Sequence, residues 1–469
     1  MIRSLTCLAL LVIATPSFAQ SGPKIDDFTV AGIHVIHKPI TANDVIAVQL
    51  FVKGGAAAIT PAKAGIEQLI VDAAPLGTAK YTKEQFSAAT TKTGAEIGGS
   101  AELEFTSMTL RAVRQHWDAS WDLFAEAVAH PTFPEAQVAL ARGQLVNQVK
   151  QRTDNPDAYL NHVSDSLVFA GHPFASEPRG TPQSVAALTS ADLARWHARR
   201  FTRANLLIVV VGNVAHDDLV TKISQSFGGL PATGGAVPRV PALSAMKSSV
   251  TVMQRGLPTN YILGTFVAPP STSRDAAAVR LATRLLDDRL FEEVRTKRNL
   301  TYAVSSYFRT GSVGRGALYV TATEPDTTLK VMLAEVHRLQ REPVSAERLQ
   351  ESRNDYVTAY WMNQETNLGQ ATQLGTYELT GGGWRNALAL VDKVRAVTPA
   401  DIQRVATRYF RNARFVVVGD PKKVDRALFQ SLIAGGLRRR APAARAARAR
   451  SRHRRARGRR RTAPPTGRD

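Results

Sequence analysis

Gln68 and Asp72 stand four residues apart within residues 65–78, Gly-Ile-Glu-Gln-Leu-Ile-Val-Asp-Ala-Ala-Pro-Leu-Gly-Thr. On a helix that spacing puts both side chains on one face, where they could serve one site. Asp72 offers a carboxylate that can hold a divalent cation, whereas Gln68 offers a neutral amide, a poor ligand. A catalytic zinc takes three protein ligands, usually histidine with a carboxylate, and keeps a fourth position for water. Val71 has no group that could take a proton from such a water. None of the ten histidines lies in an H-x-x-E-H or H-E-x-x-H pattern. The run therefore reads as an amphipathic core helix with neither ligand set nor general base. A second pair, Arg295 and Tyr302, could donate hydrogen bonds to a peptide carbonyl or to a developing oxyanion. The plainer reading has Arg295 capping a helix end and Tyr302 half-buried in a strand.

Other catalytic classes leave few traces. Cys7 is the single cysteine among 469 residues. It lies inside a segment with the features of a secretory signal, residues 1–20: Arg3, an apolar stretch over 5–14, and Ser17-Phe18-Ala19 before the cut. The mature chain would hold no cysteine, which removes thiol catalysis and disulfides despite an oxidising compartment. The apolar stretch is too short to span a bilayer, and a periplasmic location is expected. No G-x-S-x-G or G-x-x-x-x-G-K-[ST] occurs. A dispersed Ser/His/Asp triad has no sequence signature and stays open as a third class. His34 and His37, three apart on one expected strand, face opposite sides and are given no metal role. Gly94, Gly98 and Gly99 are expected in turns.

Of the net charge of +21, residues 438–469 hold +13, from fourteen arginines and one aspartate, leaving +8 for the other 437 residues. This Arg/Ala/Pro tail cannot build an apolar core and is expected to be disordered. It reads either as an arm for an anionic surface such as lipid or lipopolysaccharide or as a dispensable extension. Nucleic acid is not an expected partner.

The chain between repeats itself. Thr189, with Asp192 three residues on, opens a helix that leads through Phe201 to the buried run 206–212. Thr398, with Asp401, leads through Phe410 to the run 415–419. Both threonines read as N-caps. Strand-like runs at 45–53 and 261–267 open the two halves, and a Gly/Pro/Ala-rich linker over 231–247 joins them. The spacing predicts a helix over 285–298 and a strand over 300–306. Two duplicated halves that mix strands and helices give an α+β architecture.

In order and spacing these segments resemble the pitrilysin/insulinase family of inverted-zincin metallopeptidases. Asp154-Asn155-Pro156, Gly171-His172-Pro173-Phe174, Gly180-Thr181-Pro182 and Ser184-Val185 follow the family's order as well. The resemblance implies halves at 21–230 and 248–437, each an antiparallel sheet packed with helices, facing each other across a chamber. It lays the family's two histidines on Gln68 and Asp72, its glutamate base on Val71, and its downstream glutamate ligand on Asn147 or the adjacent Gln148. This chain is thus expected to bind no metal and to be inactive alone. The family's substrate-binding Arg and Tyr fall on Arg295 and Tyr302. Some family members pair a zinc-bearing subunit with one that lacks it. The resemblance thus implies a non-catalytic subunit whose H-x-x-E-H-bearing partner holds the zinc, acting on unfolded peptides. The alternative is a peptide-binding or assembly scaffold with no part in catalysis.

Overall fold

The computed structural model describes residues 24–429 and Gly467. The expected signal segment and, Gly467 apart, the Arg-rich tail lie outside the described residues.

Eleven strands form two sheets among the described residues. The first half supplies β1 (Asp26–Val30), β2 (Ile33–Pro39), β3 (Val45–Lys53), β4 (Glu96–Ala101), β5 (Phe105–Val113) and β6 (Leu206–Gly212), ordered β1-β2-β6-β3-β5-β4. The second supplies β7 (Ser249–Gln254), β8 (Asn260–Ala268), β9 (Val304–Arg309), β10 (Gly314–Ala322) and β11 (Arg414–Gly419), ordered β7-β11-β8-β10-β9. With β1 set aside, the two orders superpose strand for strand, so the duplication read in the sequence is a duplication of topology. All pairings are antiparallel except one parallel pair per sheet, β2 with β6 and β7 with β11. Both exceptions arise because the last strand of each half returns through a helix to a central place beside the first.

The central strands are apolar on both faces because both faces are covered. Along β6, Leu206, Ile208 and Val210 join the core built by the first half's own helices. Leu207, Val209 and Val211 point the other way and pack with Ala371 and Leu374 of the helix Asn367–Thr380, which belongs to the second half. Its close approach depends on Gly375, where an added Cβ would lie 2.1 Å from the Phe51 ring. The exchange is mutual: the helix Pro156–Val168 of the first half brings Leu160 against Leu263, Val416 and Val418 of the second sheet. Polar bonds fix each graft. Asn367 donates to the Val45 carbonyl at 2.6 Å and Thr372 to Gln49 at 2.9 Å. Tyr319 donates to Asp157 at 2.6 Å, and Ser164 meets Thr265 at 3.0 Å.

Several expectations are met locally. The runs 45–53 and 261–267 are β3 and the heart of β8. Thr189 and Thr398 each close a capping box with the aspartate three residues on. Asn155 caps the helix that Pro156 begins, accepting from the Ala158 amide at 3.0 Å. The expected helix over 285–298 begins earlier, as Ala276–Leu290, and then widens into a π-helical turn, Phe291–Thr296. The strand expected over 300–306 is displaced to β9, Val304–Arg309. Gly94 ends a helix in the left-handed region, as a turn glycine should, but Gly98 and Gly99 lie within β4. Residues 231–247 contain no helix or strand, yet Met246 is buried and His172 bonds the Pro241 carbonyl.

The corner that carries residues 65–78 is held by charge. Lys63 lies 2.8 Å from Asp192, the acidic member of the Thr189 capping box. The Lys63 bond, helped by Thr189, holds the Asp192 carboxyl down from its ordinary 3.8 to about 2. A carboxyl lowered on folding adds stability that is present above 3.8 and lost as the pH falls through about 2. Acid unfolding curves of Asp192→Asn should therefore be flatter than the parent's in that window and the protein less stable at neutral pH. Parallel curves would show that the pair contributes nothing.

Candidate functional site

The helix Ile66–Ala73 carries the motif positions, and three features set its place. Gly65 precedes it at φ 92°, a left-handed conformation in which a Cβ would also meet the Val185 side chain at 2.7 Å. Ser184 donates to the Ala64 carbonyl at 2.9 Å. Glu67, one residue before the motif, is 1% exposed and accepts hydrogen bonds from Thr106 and from Trp196 Nε1. Burial pushes its carboxyl up, opposed by the Thr106 bond and the Arg200 charge. In the sequence Glu67 gives no signal of its own, since its partners Thr106 and Trp196 lie 39 and 129 residues away. It cannot replace the lost base, since both its oxygens face the inner side of the helix.

On the other side of the helix the chemistry is closed off. Gln68 Nε2 donates to Asp72 Oδ1 at 2.9 Å, and Gln68 Oε1 accepts from the Ala101 amide of β4 at 3.0 Å. The amide thus uses both ends on protein partners. Burial pushes the Asp72 carboxyl up, against the Gln68 bond and the Arg179 charge. Val71 is 4% exposed and packs over Gly99 of β4, where an added Cβ would stand 2.9 Å from Val71 Cγ1. Asn147 and Gln148 lie on the exposed side of the helix Glu135–Asp154, which packs against the motif helix through its buried face. One half-buried carboxylate, a committed amide, an apolar side chain and two exposed amides do not fit a zinc ion.

Beside the motif, a cavity of about 330 Å³ opens between the halves. Ala101, Glu102, His162 and Arg179 line it from the first half, Arg309 and Arg315 from the second. On its wall Arg152 and His162 both hold Glu177, at 2.8 and 3.2 Å. Burial raises the Glu177 carboxyl, but the His162 and Arg152 contributions outweigh it and leave it below its ordinary value. β4 forms the sheet edge next to this cavity, with no strand beyond it among the described residues. An edge strand can pair with an extended chain, here away from the Ala101 amide that Gln68 holds and the Gly98 carbonyl that Thr109 holds.

In the second half the helix Ala276–Leu290 takes the place that Ile66–Ala73 takes in the first, packed against the edge strand β9 as the motif helix is against β4. At its C-terminal end Arg295 and Tyr302 are brought together, the guanidinium 4.7 Å from the Tyr302 ring centre and 4.8 Å from that of Phe291. Tyr302 is 81% exposed on a bend before β9, so it is no half-buried strand residue. Lys297 and Arg298 are tied to Glu293, whereas among the described residues the Arg295 guanidinium has no hydrogen-bonded partner and caps nothing. The motif helix and this pair each pack chiefly within their own half.

Two family models match this chain. "Insulinase (Peptidase family M16)" covers residues 35–179, which include the motif helix, and "Peptidase M16 inactive domain" covers 187–356, which include Arg295 and Tyr302. An uncharacterized zinc protease of Mycobacterium leprae is 28% identical over 242 residues, 49% of this chain and 53% of that protein, so the match spans about half the relative's length. An uncharacterized zinc protease of Mycobacterium bovis is 25% identical over 351 residues, 72% of this chain and 80% of the relative. Among solved structures, a peptidase M16 inactive domain from Pseudomonas fluorescens has the same fold, with a TM-score of 0.78 at 19% identity, over 85% of this chain and 98% of that one.

Proposed function

Since the chain belongs to the M16 insulinase family of peptidases and carries its inactive-type domain, we propose that it is the non-catalytic subunit of a periplasmic heterodimeric zinc metallopeptidase. The observation that carries this reading is the Gln68–Asp72–Ala101 hydrogen-bond network, which ties up the positions that the resemblance gives to the zinc ligands, with Val71 beside it, while Tyr302 stays exposed and the half-buried Arg295 makes only ring contacts among the described residues. A partner bearing H-x-x-E-H supplies the zinc and the general base. This chain holds an unfolded peptide, whose backbone can pair with the free edge of β4. It then presents the guanidinium and phenol to the carbonyl under attack, where fixed donors stabilise the oxyanion.

The test is cleavage of an unstructured peptide by this chain alone, by the partner alone, and by the mixture with and without chelator. This chain alone should be silent. The mixture should cleave at least ~100-fold faster than the partner alone, the scale set by adding oxyanion donors to a site, and chelator should abolish the activity. Chelator-sensitive cleavage by this chain alone would overturn the reading. A mixture no faster than the partner would leave a peptide-binding or assembly scaffold instead.

A further inference from the structure

On the edge of the first sheet farthest from β4, three side chains converge that play no part in the site above. Asp26 of β1 and His37 of β2 are cross-strand partners in the antiparallel ladder. His216 opens the helix His216–Phe227, which packs on β1, with its ring 4.5 Å from that of Phe28. Asp26 Oδ2 lies 4.0 Å from His37 Nδ1 and 3.9 Å from His216 Nδ1, and one ligand atom from each residue falls within 4.8 Å of the others.

His37 makes this more than a surface cluster. It is 1% exposed, and neither ring nitrogen has a hydrogen-bond partner. Buried polar atoms are nearly always satisfied, so an orphaned pair calls for an explanation. The Gly212 carbonyl is near the ring but already accepts from the Ile40 and Val214 amides. Burial pushes the imidazole down, with the Asp26 charge opposing, which keeps the lone pair that a metal needs at neutral pH. His34 faces the other side, bonded to Asp27 at 2.8 Å, and does not compete.

We propose that Asp26, His37 and His216 form a site for a divalent transition cation, with zinc as the test ion. Two imidazoles and one carboxylate make a three-ligand shell with a fourth position for water. Donors around tetrahedral zinc stand about 3.4 Å apart, so small rotations of the half-exposed Asp26 and the exposed His216 close the shell around the fixed His37. Those two also leave an entry path from solvent. The ion would tie the β1–β2 hairpin to the helix His216–Phe227, at the opposite sheet edge from the motif helix. The sequence reading gave His37 no metal role because its partners lie 11 residues before and 179 residues after it, beyond any local pattern.

Zinc titration of the untagged full-length chain by calorimetry tests this, with the visible spectrum of the cobalt form as a second readout. One zinc per chain is expected. His216→Ala and Asp26→Asn, both at accessible positions, should weaken binding by more than ~100-fold, beyond the 10–100-fold typical of outer-shell partners. Asp72→Asn should change nothing. A zinc excess of a hundredfold over Kd should raise Tm by about 3–5 °C in the parent and not in His216→Ala. Absence of zinc binding at micromolar concentration would overturn the proposal. So would binding unchanged in His216→Ala and Asp26→Asn, or binding lost only in Asp72→Asn.

Discussion

Replacing Arg295 by alanine should lower the kcat/KM of the mixed peptidase by about 10²–10³-fold, the usual loss when an oxyanion donor is removed, and leave the Tm of this chain within a degree or two. The two halves of that expectation come from one geometry. Among the described residues the guanidinium makes only ring contacts, with Phe291 and Tyr302, and exposed cation–π contacts contribute about 0.5–1 kcal/mol. All its hydrogen-bonding capacity remains for a ligand. Arg295→Lys keeps the charge but loses the planar fork, so it should recover only part of the rate. Tyr302→Phe removes the phenol donor and keeps the ring against Arg295, so it separates donation from stacking. A large fall in Tm with Arg295→Ala would assign the residue to structure. An unchanged rate would assign the chain to scaffolding.

Arg200→Met should be strongly destabilising, costing about 3–5 kcal/mol, since each hydrogen bond from a charged group contributes about 1.5–3 kcal/mol. Arg200 is 2% exposed, donates to the carbonyls of Gly235 at 2.8 Å and Ala236 at 3.1 Å, and also holds the Lys53 carbonyl at the end of β3. Methionine fills much of the stem's volume but leaves the Lys53 and Ala236 carbonyls without this donor, the Gly235 carbonyl with Asn205 alone, and Glu67 without a nearby positive charge. The damage should depend on pH in a stated direction. Burial already holds the Glu67 carboxyl above its ordinary 4.5, and losing Arg200 raises it further. A carboxyl raised on folding binds its proton in the native state first, so stability rises as the pH falls through the window above 4.5. The deficit of Arg200→Met should therefore shrink between neutral and mildly acid pH, and adding Glu67→Gln should remove much of that dependence. Equal urea midpoints for parent and variant would show that the linker and the motif helix are held by other contacts.

What was legible in the sequence was local. β3 and β8 could be read because apolar residues fill seven of nine positions in one and six of nine in the other, and the capping boxes at Thr189 and Thr398 because their chemistry spans three residues. The helix Ala276–Leu290 was entered late because its first turn is alanine behind Asp275, whose side chain gives the helix no cap. Its π-helical end breaks the 3.6-residue period, and the strand expected after it moved with that break. Gly98 and Gly99 read as turn residues in sequence, but a Cβ on Gly99 would stand 2.1 Å from the Ser107 carbonyl oxygen. That glycine serves strand packing, which no neighbour in sequence reveals. At the motif, the sequence showed which groups were missing. It did not show that Gln68 bonds both Asp72 and the edge strand, since Ala101 lies 33 residues away.

The traded helices, Pro156–Val168 and Asn367–Thr380, bear on how such a chain could arise. Taken singly, either half would leave one sheet face bare, with Phe51, Leu207, Val209 and Val211 open to water in one case and Leu263, Val416 and Val418 in the other. Such a fragment is an aggregation hazard rather than a folding unit. Its smallest soluble form is a swapped pair in which each copy lends its helix to the other. The single chain meets the same need within one molecule, each half lending its helix to the other's bare sheet face.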